Sequence, residues 1–121
     1  MPGAAGPQNL PRSAGVRRAK EIILTGLPIS AEQALEWNIA NRVCAPDQLM
    51  AEALETARII ASNAPIGVRQ AKKSIDRALE VDRTTGYAFE IEAYGAVINT
   101  EDRLEGIRAF NEKRKPVFKG K

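Results

Sequence analysis

Few side chains in this 121-residue chain could do chemistry, and their types exclude most familiar catalytic sites. The sequence has no histidine, which excludes histidine triads, histidine general bases and histidine metal ligands. Cys44 is the single cysteine, so neither an internal disulfide nor a cysteine-rich zinc site can form. Because no histidine can activate this thiol, we expect Cys44 to be a small buried apolar group.

The fifteen acidic residues offer acid or base groups, but their spacing pairs none of them. Glu90 and Glu92 stand two positions apart on a predicted helix, so they point to different sides. Glu101, Asp102 and Glu105 stand at a predicted helix start, where the helix dipole is a sufficient explanation for negative charge. The spacing of the acidic residues therefore predicts no catalytic carboxylate.

The C-terminal end is the best candidate for binding chemistry. Residues 112–121 carry five basic residues against Glu112 and have a net charge of +4, whereas the other 111 residues have a net charge of −1. Such an end suits phosphate, nucleic acid or an anionic membrane, and a solvated tail explains it equally well. Together with the preceding Phe110, this end combines aromatic anchors with side chains that can donate to phosphate: Phe110, Lys113, Arg114 and Phe118.

The elements that must position these groups are helical. Glycines and prolines dominate the first fifteen residues, which predicts a loop over 1–15. The segment from Gly3 to Gly6 lacks the Gly-Lys-Ser/Thr signature of a phosphate loop, although its backbone N–H groups could hold an oxygen. The remainder, 16–121, predicts an all-α domain of five or six helices without a convincing strand. The predicted helices span about 16–25, 30–38, 46–63, 66–80, 82–98 and from 100 onward.

Local signals support several of these helix ends. Ser30 and Gln33 have the spacing of a capping box, Thr100 is a good N-cap, and Gly26 lies just past a helix end. The helix over 82–98 is apolar on two faces, which suggests a partner domain, a second copy of the chain, or simply a neighbouring helix. Its inward stripe is predicted as Tyr87, Ile91, Tyr94 and Ile98, and its second stripe as Phe89, Ala93 and Val97.

No apolar run approaches the ~20 residues needed to cross a bilayer. The N-terminal residues have neither a basic region nor an apolar core, so they do not read as a signal peptide. A reduced, cytoplasmic compartment is therefore the expectation.

Four segments, in order, make the sequence recognisable. They are 1–12 (MPGAAGPQNLPR), 19–26 with 30–34 (AKEIILTG and SAEQA), 64–72 (APIGVRQAK), and 100–110 with 112–120 (TEDRLEGIRAF and EKRKPVFKG). Together they resemble the C-terminal part of the enoyl-CoA hydratase/isomerase family, the crotonase superfamily. The resemblance covers essentially the whole chain.

The resemblance implies an α/β spiral fold whose C-terminal helical region, used for oligomerisation, is this chain. The implied activity is addition of water to 2-enoyl-CoA thioesters in fatty-acid or acyl-CoA catabolism, with coenzyme A as part of the substrate and no other cofactor or metal. Family chemistry uses two backbone N–H groups as an oxyanion hole and two glutamates as general acid and base. All of these precede the matching segment, so we expect the chain to be a C-terminal fragment, with 1–15 continuing from the missing core, and inactive alone.

Three positions match functional positions of the family. The resemblance places the backbone N–H of Gly3 by the catalytic water, Lys113 near the phosphates of coenzyme A, and Tyr94 near the adenine. Two departures stand in the first segment, since Ala5 replaces a usual glycine and Pro7 a usual threonine. A proline fixes φ and lacks an N–H, so the loop is expected to differ locally.

Other readings remain open. One is a non-catalytic trimerisation and CoA-phosphate-binding module, and another is an isomerase or dehydratase of the same family. The family's C-terminal helices pack subunits into trimers and hexamers, so self-association is expected. RNA binding, known for some relatives, would use Arg69, Lys72 and Lys73, but a 5% aromatic content and a near-neutral body count against it.

Overall fold

The computed structural model describes residues 2–121, and within that range the chain forms α-helices and no β-strand. The all-α prediction is therefore confirmed for the described residues. The helices are α1 (Gly6–Ala14), α2 (Val16–Thr25), α3 (Ala31–Glu36), α4 (Leu49–Ala61), α5 (Pro65–Arg77), α6 (Arg83–Ile98) and α7 (Glu101–Asn111), with a 3₁₀ turn at Pro46–Gln48.

The loop predicted for 1–15 is wrong from Gly6 to Ala14, because these residues form α1. Pro7 lies at the start of this helix, where its fixed φ favours the helix and its missing N–H needs no partner. Pro11 lies inside the helix and removes one hydrogen bond, yet the helix continues to Ala14. The loop prediction treated every proline as a helix breaker, although a proline in the first turn favours a helix. A domain boundary near residue 15 stays a prediction.

The predicted caps at the other helix ends are confirmed. The Ser30 hydroxyl accepts the Gln33 N–H at 3.1 Å, and the Gln33 side chain accepts the Ser30 N–H at 2.9 Å. Thr100 Oγ1 accepts the Arg103 N–H at 3.2 Å at the start of α7. Gly26 ends α2 at a φ of 66°, a left-handed conformation that glycine adopts without strain.

The chain divides into two compact units, of which the first ends at Leu49. Within it, α1 packs against α2, and Ala19 of α2 is buried. The guanidinium of Arg18 lies 5.3 Å from the centre of the Trp37 ring and 3.9 Å from the carboxylate of Glu36. A cation–π contact and an ion pair therefore join α2 to the end of α3.

The second unit runs from Met50 to Lys121, and its main helix pair is α5 against α6. The stripe on α6 that faces inward is the one predicted as second: Ala93 is buried, and Phe89 and Val97 are half-buried. The stripe predicted to face inward is exposed, with Ile91 at 72% of its full accessible surface. Both stripes are apolar, and the small residues Gly67 and Ala71 of α5 line a groove beside Ala93 and Val97 of α6.

Large apolar side chains remain exposed on several helices. The helix α4 has no buried residue, and its apolar side chains Leu49 and Ile60 are exposed. Phe110 on α7 is 84% exposed. Apolar patches of this extent are typical of surfaces that bind a partner.

Candidate anion-binding site

A buried carboxylate fixes the C-terminal residues onto α7. Asp102 in the first turn of α7 retains only 2% of its accessible surface. One of its oxygens accepts the Lys119 N–H at 2.6 Å, and the other accepts the Gly120 N–H at 2.8 Å. The Asp102 N–H donates in turn to the Lys121 carbonyl at 3.1 Å. The last three residues are therefore held by three hydrogen bonds to one helical residue.

A second acidic residue of α7 binds the segment between the helix and the tail. Both Glu105 oxygens accept from the Arg114 guanidinium, at 2.6 and 3.0 Å, in the bidentate geometry that arginine and carboxylate favour. The same carboxylate accepts the Val117 N–H at 2.9 Å. The Arg114 hydrogen bonds, followed by that of Val117, lower the pKa of Glu105 from 4.5 to about 2. Hydrogen bonds to Glu105 and Glu112 raise the pKa of Arg114 in return.

Apolar contacts complete the docking of the tail. The Phe118 ring lies against Gly106, where an added Cβ would stand 3.8 Å from it. Gly120 has a φ of 75° and lies beside the Pro65 ring at the start of α5. The sequence predicts both Phe110 and Phe118 as anchors, and of the two only Phe118 docks, since Phe110 is exposed.

Lys113 lies in the turn that links α7 to this docked tail. Its N–H donates to the Phe110 carbonyl at 3.2 Å, and the Arg114 N–H donates to the Ala109 carbonyl at 3.0 Å. This pair of bonds is the Schellman arrangement, whose left-handed position is usually glycine. Lys113 occupies that position with a φ of 54°. Its side chain is exposed, and among the described residues it has no ion-pair partner.

Tyr94 lies on the exposed stripe of α6 and retains 56% of its accessible surface. It borders a groove of about 430 Å³ between α5 and α6, together with Ser74, Ile75 and Glu90. Lys113 does not line this groove. The structure therefore gives Tyr94 an exposed ring on an apolar groove, and it brings no basic side chain of the tail to that groove.

Gly3 is exposed and precedes α1 by a tight turn. The Gly6 N–H donates to the Gly3 carbonyl at 3.1 Å, and Ala4 and Ala5 between them have φ values of 50° and 64°. Alanine in this left-handed region costs roughly 1–2 kcal/mol per residue. The departure from glycine at Ala5 therefore leaves a turn that is strained but closed. Within residues 2–121 the Gly3 N–H has no hydrogen-bond acceptor.

Sequence reasoning missed the two residues that build this site. Asp102 and Glu105 were explained by the helix dipole, whereas the structure shows them binding the tail. The available signal was an acidic pair three positions apart on α7, followed within twenty residues by a strongly basic end. Three positions on a helix place both carboxylates on one face, where a returning tail can meet both.

Of the three basic residues of α5 considered for RNA binding, one is already in an ion pair. Lys72 pairs with Asp76 through its ammonium at 2.5 Å, while Arg69 and Lys73 are exposed. Among the described residues no group of three metal-ligating side chains occurs, and no helix is long and apolar enough to cross a membrane.

These features define a helical unit with an exposed, unpaired lysine on the ordered turn that precedes a docked tail, and the comparisons with known proteins identify its family. The sequence model of the enoyl-CoA hydratase/isomerase family matches residues 1–121. The chain therefore belongs to the enoyl-CoA hydratase/isomerase family.

Two relatives and one structure illustrate the similarity. The chain is 43% identical to the short-chain-enoyl-CoA hydratase of Clostridium acetobutylicum, covering 94% of this chain and 44% of that protein. It is 46% identical to the mitochondrial enoyl-CoA hydratase domain-containing protein 2 of Mus musculus, covering 100% and 42%. The enoyl-CoA hydratase structure from Bacillus anthracis superposes with a TM-score of 0.97 at 50% identity, covering 100% and 47%. The chain thus spans about half the length of the relatives it matches.

Proposed function

We propose that the chain is the helical C-terminal half of an enoyl-CoA hydratase, which adds water to 2-enoyl-CoA thioesters. In this proposal the oxyanion hole and the two catalytic glutamates belong to the other half of the enzyme, and coenzyme A enters as part of the substrate without a separate cofactor. The 121-residue chain alone then binds the CoA moiety but does not catalyse hydration.

The observation that carries the proposal is the placement of Lys113. Its ammonium is exposed and unpaired, and the backbone that bears it is tied to α7. Lysine binds phosphate as a point charge, and a placed cation loses less freedom on binding than one on a flexible tail. The segment that contains it also matches the family at the position expected to meet the phosphates.

Tyr94 and Gly3 are supporting positions of the proposal. An exposed aromatic ring on a groove can stack on an adenine, and its exposure leaves room for a ligand held by another subunit. The Gly3 N–H, without an acceptor in residues 2–121, is able to hold a water oxygen.

The direct test is to measure coenzyme A binding to the chain by calorimetry with Lys113→Ala. Losing one charge-assisted phosphate contact should weaken binding about tenfold. Lys115→Ala is the matched control, since Lys115 is an exposed neighbouring lysine with no ion pair among the described residues, and it should retain the affinity. Equal affinity of Lys113→Ala and the original chain would remove Lys113 from the CoA site.

The second candidate function is a CoA-binding and assembly module without catalysis. It is supported by the exposed Lys113 side chain and the exposed apolar stripe of α6, neither of which needs a catalytic group. The intact mass of the native polypeptide, captured from its source cell with an antibody to this chain, separates the two. A mass near or above twice 13.2 kDa supports the hydratase, whereas a mass of 13.2 kDa supports the module.

We further propose that copies of the chain associate through the exposed stripe of α6, as trimers or hexamers in the whole enzyme. Ile91 and Tyr87 expose 72% and 59% of their surfaces there, and a second copy would remove this apolar surface from water. Sedimentation velocity should show association that increases with concentration. Ile91→Lys should shift the chain towards monomer, whereas Lys20→Ala on the exposed side of α2 should not. Identical sedimentation of both variants would contradict this surface.

The cytoplasm is the proposed compartment, on the evidence of one unpaired cysteine, Cys44. The Mus musculus relative is named as mitochondrial, so fractionation of the source cell decides between the two.

A further inference from the structure

The residues that follow Lys113 are bound by one carboxylate of α7, that of Glu105. Arg114 directly follows Lys113 and donates two hydrogen bonds to Glu105, and Val117 three residues later donates its N–H to the same group. Arg114 also donates to Glu112 at 2.6 Å, which precedes Lys113. Lys113 therefore lies between Glu112 and Arg114, and the Arg114 guanidinium binds the Glu112 carboxylate across it.

The backbone of Lys113 has a left-handed conformation, which is unfavourable for lysine. A left-handed φ costs a non-glycine residue roughly 1–2 kcal/mol, so such a residue persists only where its surroundings hold it. The Schellman hydrogen bonds hold it from the helix side. The only side-chain bonds that hold the turn from the tail side, among the described residues, are those of Arg114 and Glu105.

We propose that Glu105, acting through Arg114, is a positioning residue that fixes Lys113 for the phosphates of coenzyme A. The inference rests on the proposed CoA-binding function of Lys113. Glu105 does not touch the ligand and carries the wrong charge to do so. Its contribution is that the backbone bearing the lysine is already ordered before binding, so the chain need not lose the conformational entropy of the turn when the ligand arrives.

The experiment is a double-mutant cycle with coenzyme A as the probe. Glu105→Gln keeps the size of the side chain and one acceptor for Val117 but removes the charged bidentate pair. It should weaken coenzyme A binding about fivefold, which corresponds to roughly 1 kcal/mol of backbone ordering. In the Lys113→Ala background the same change should weaken binding less than about twofold, because the group that it positions is gone.

A second readout follows the turn itself without any ligand. The ¹³Cα and ¹³Cβ chemical shifts of Lys113 report its φ, and they should leave the left-handed range in Glu105→Gln and in Arg114→Gln. Glu112→Gln is the matched control, because it removes a neighbouring acidic partner of Arg114 but leaves the bidentate pair in place. It should retain the shifts of the original chain.

The outcomes separate this inference from the proposed function. Unchanged Lys113 shifts in Glu105→Gln, or an equal loss of affinity with and without Lys113, would overturn the positioning role. If instead the shifts change as expected but Lys113→Ala binds coenzyme A normally, Glu105 positions a residue that the ligand does not use, and it is the CoA-binding function that fails.

Discussion

Replacing Asp102 with alanine is expected to release the C-terminal tail and to lower the free energy of unfolding by about 3 kcal/mol, since hydrogen bonds to a charged group contribute roughly 1.5–3 kcal/mol each. Asp102 is buried to 2% exposure, and its two oxygens accept the N–H groups of Lys119 and Gly120. The alanine variant leaves both donors without their acceptor. Urea unfolding measures the loss of stability, and amide hydrogen exchange at Lys119 and Gly120 measures the release.

Glu101→Ala is the matched control for this change. Glu101 is the neighbouring carboxylate in the same first turn of α7, but its side chain is 65% exposed and its ion pair with Lys121 spans 3.6 Å. Exposed pairs of this kind contribute at most about 1 kcal/mol, so this variant should keep the tail protected from exchange. If Asp102→Ala and Glu101→Ala lose the same stability, or if Lys119 and Gly120 stay protected in both, the buried carboxylate does not hold the tail.

Features of the fold encoded by neighbouring residues were predictable from the sequence. The Ser30 capping box and the Thr100 N-cap depend on residues at most three positions apart, and the structure has both. The missed helix α1 is also local, because Pro7 at its start favours a helix although prolines usually end one. The number of prolines in a segment does not show whether they favour or break a helix, whereas their position within the segment does.

The inward face of α6 could not be derived in the same way. Its two stripes are both apolar, so hydrophobic periodicity fits either one, and the choice depends on where α5 lies. Ala93 is buried on the stripe ranked second, while the larger Ile91 is exposed. A small side chain allows two helices to approach closely, and ranking stripes by hydrophobicity overlooks that property.

Only part of the candidate site could be predicted from the sequence, because the other part depends on contacts between residues that are distant along the chain. The basic C-terminal pattern points to Lys113, whereas Tyr94 is reached only by resemblance to a family. The carboxylates of Asp102 and Glu105 bind residues that follow them by nine to eighteen positions, across a turn whose path no local rule predicts. Their role appears only once the tail is seen to return along α7.

Acid should weaken the attachment of the turn through Glu105, and this is the second large effect expected. Its pKa is 4.5 when free of partners and about 2 in the folded chain, because Arg114 and the Val117 N–H bind the charged form. A folded-state pKa below the unfolded value means that the carboxylate stabilises the fold fully above about pH 4.5. That contribution is lost as the pH falls from 4.5 through 2, and Glu105 is protonated in both states only below about pH 2.

The measurement is the difference in unfolding free energy between the original chain and Glu105→Gln across pH 6 to 2. Other carboxylates also have lowered pKa values, such as Asp82, which accepts from the Thr85 hydroxyl and backbone, but their contribution is common to both chains and cancels. The difference should be largest above pH 4.5 and should shrink to a small fraction of that value by pH 2. The ¹³C resonance of the Glu105 carboxylate should titrate near 2 in parallel. A titration midpoint near 4.5, or a stability difference that does not change with pH, would mean that Arg114 and Glu105 are not paired in solution, and Lys113 would then lose the group proposed to hold it in place.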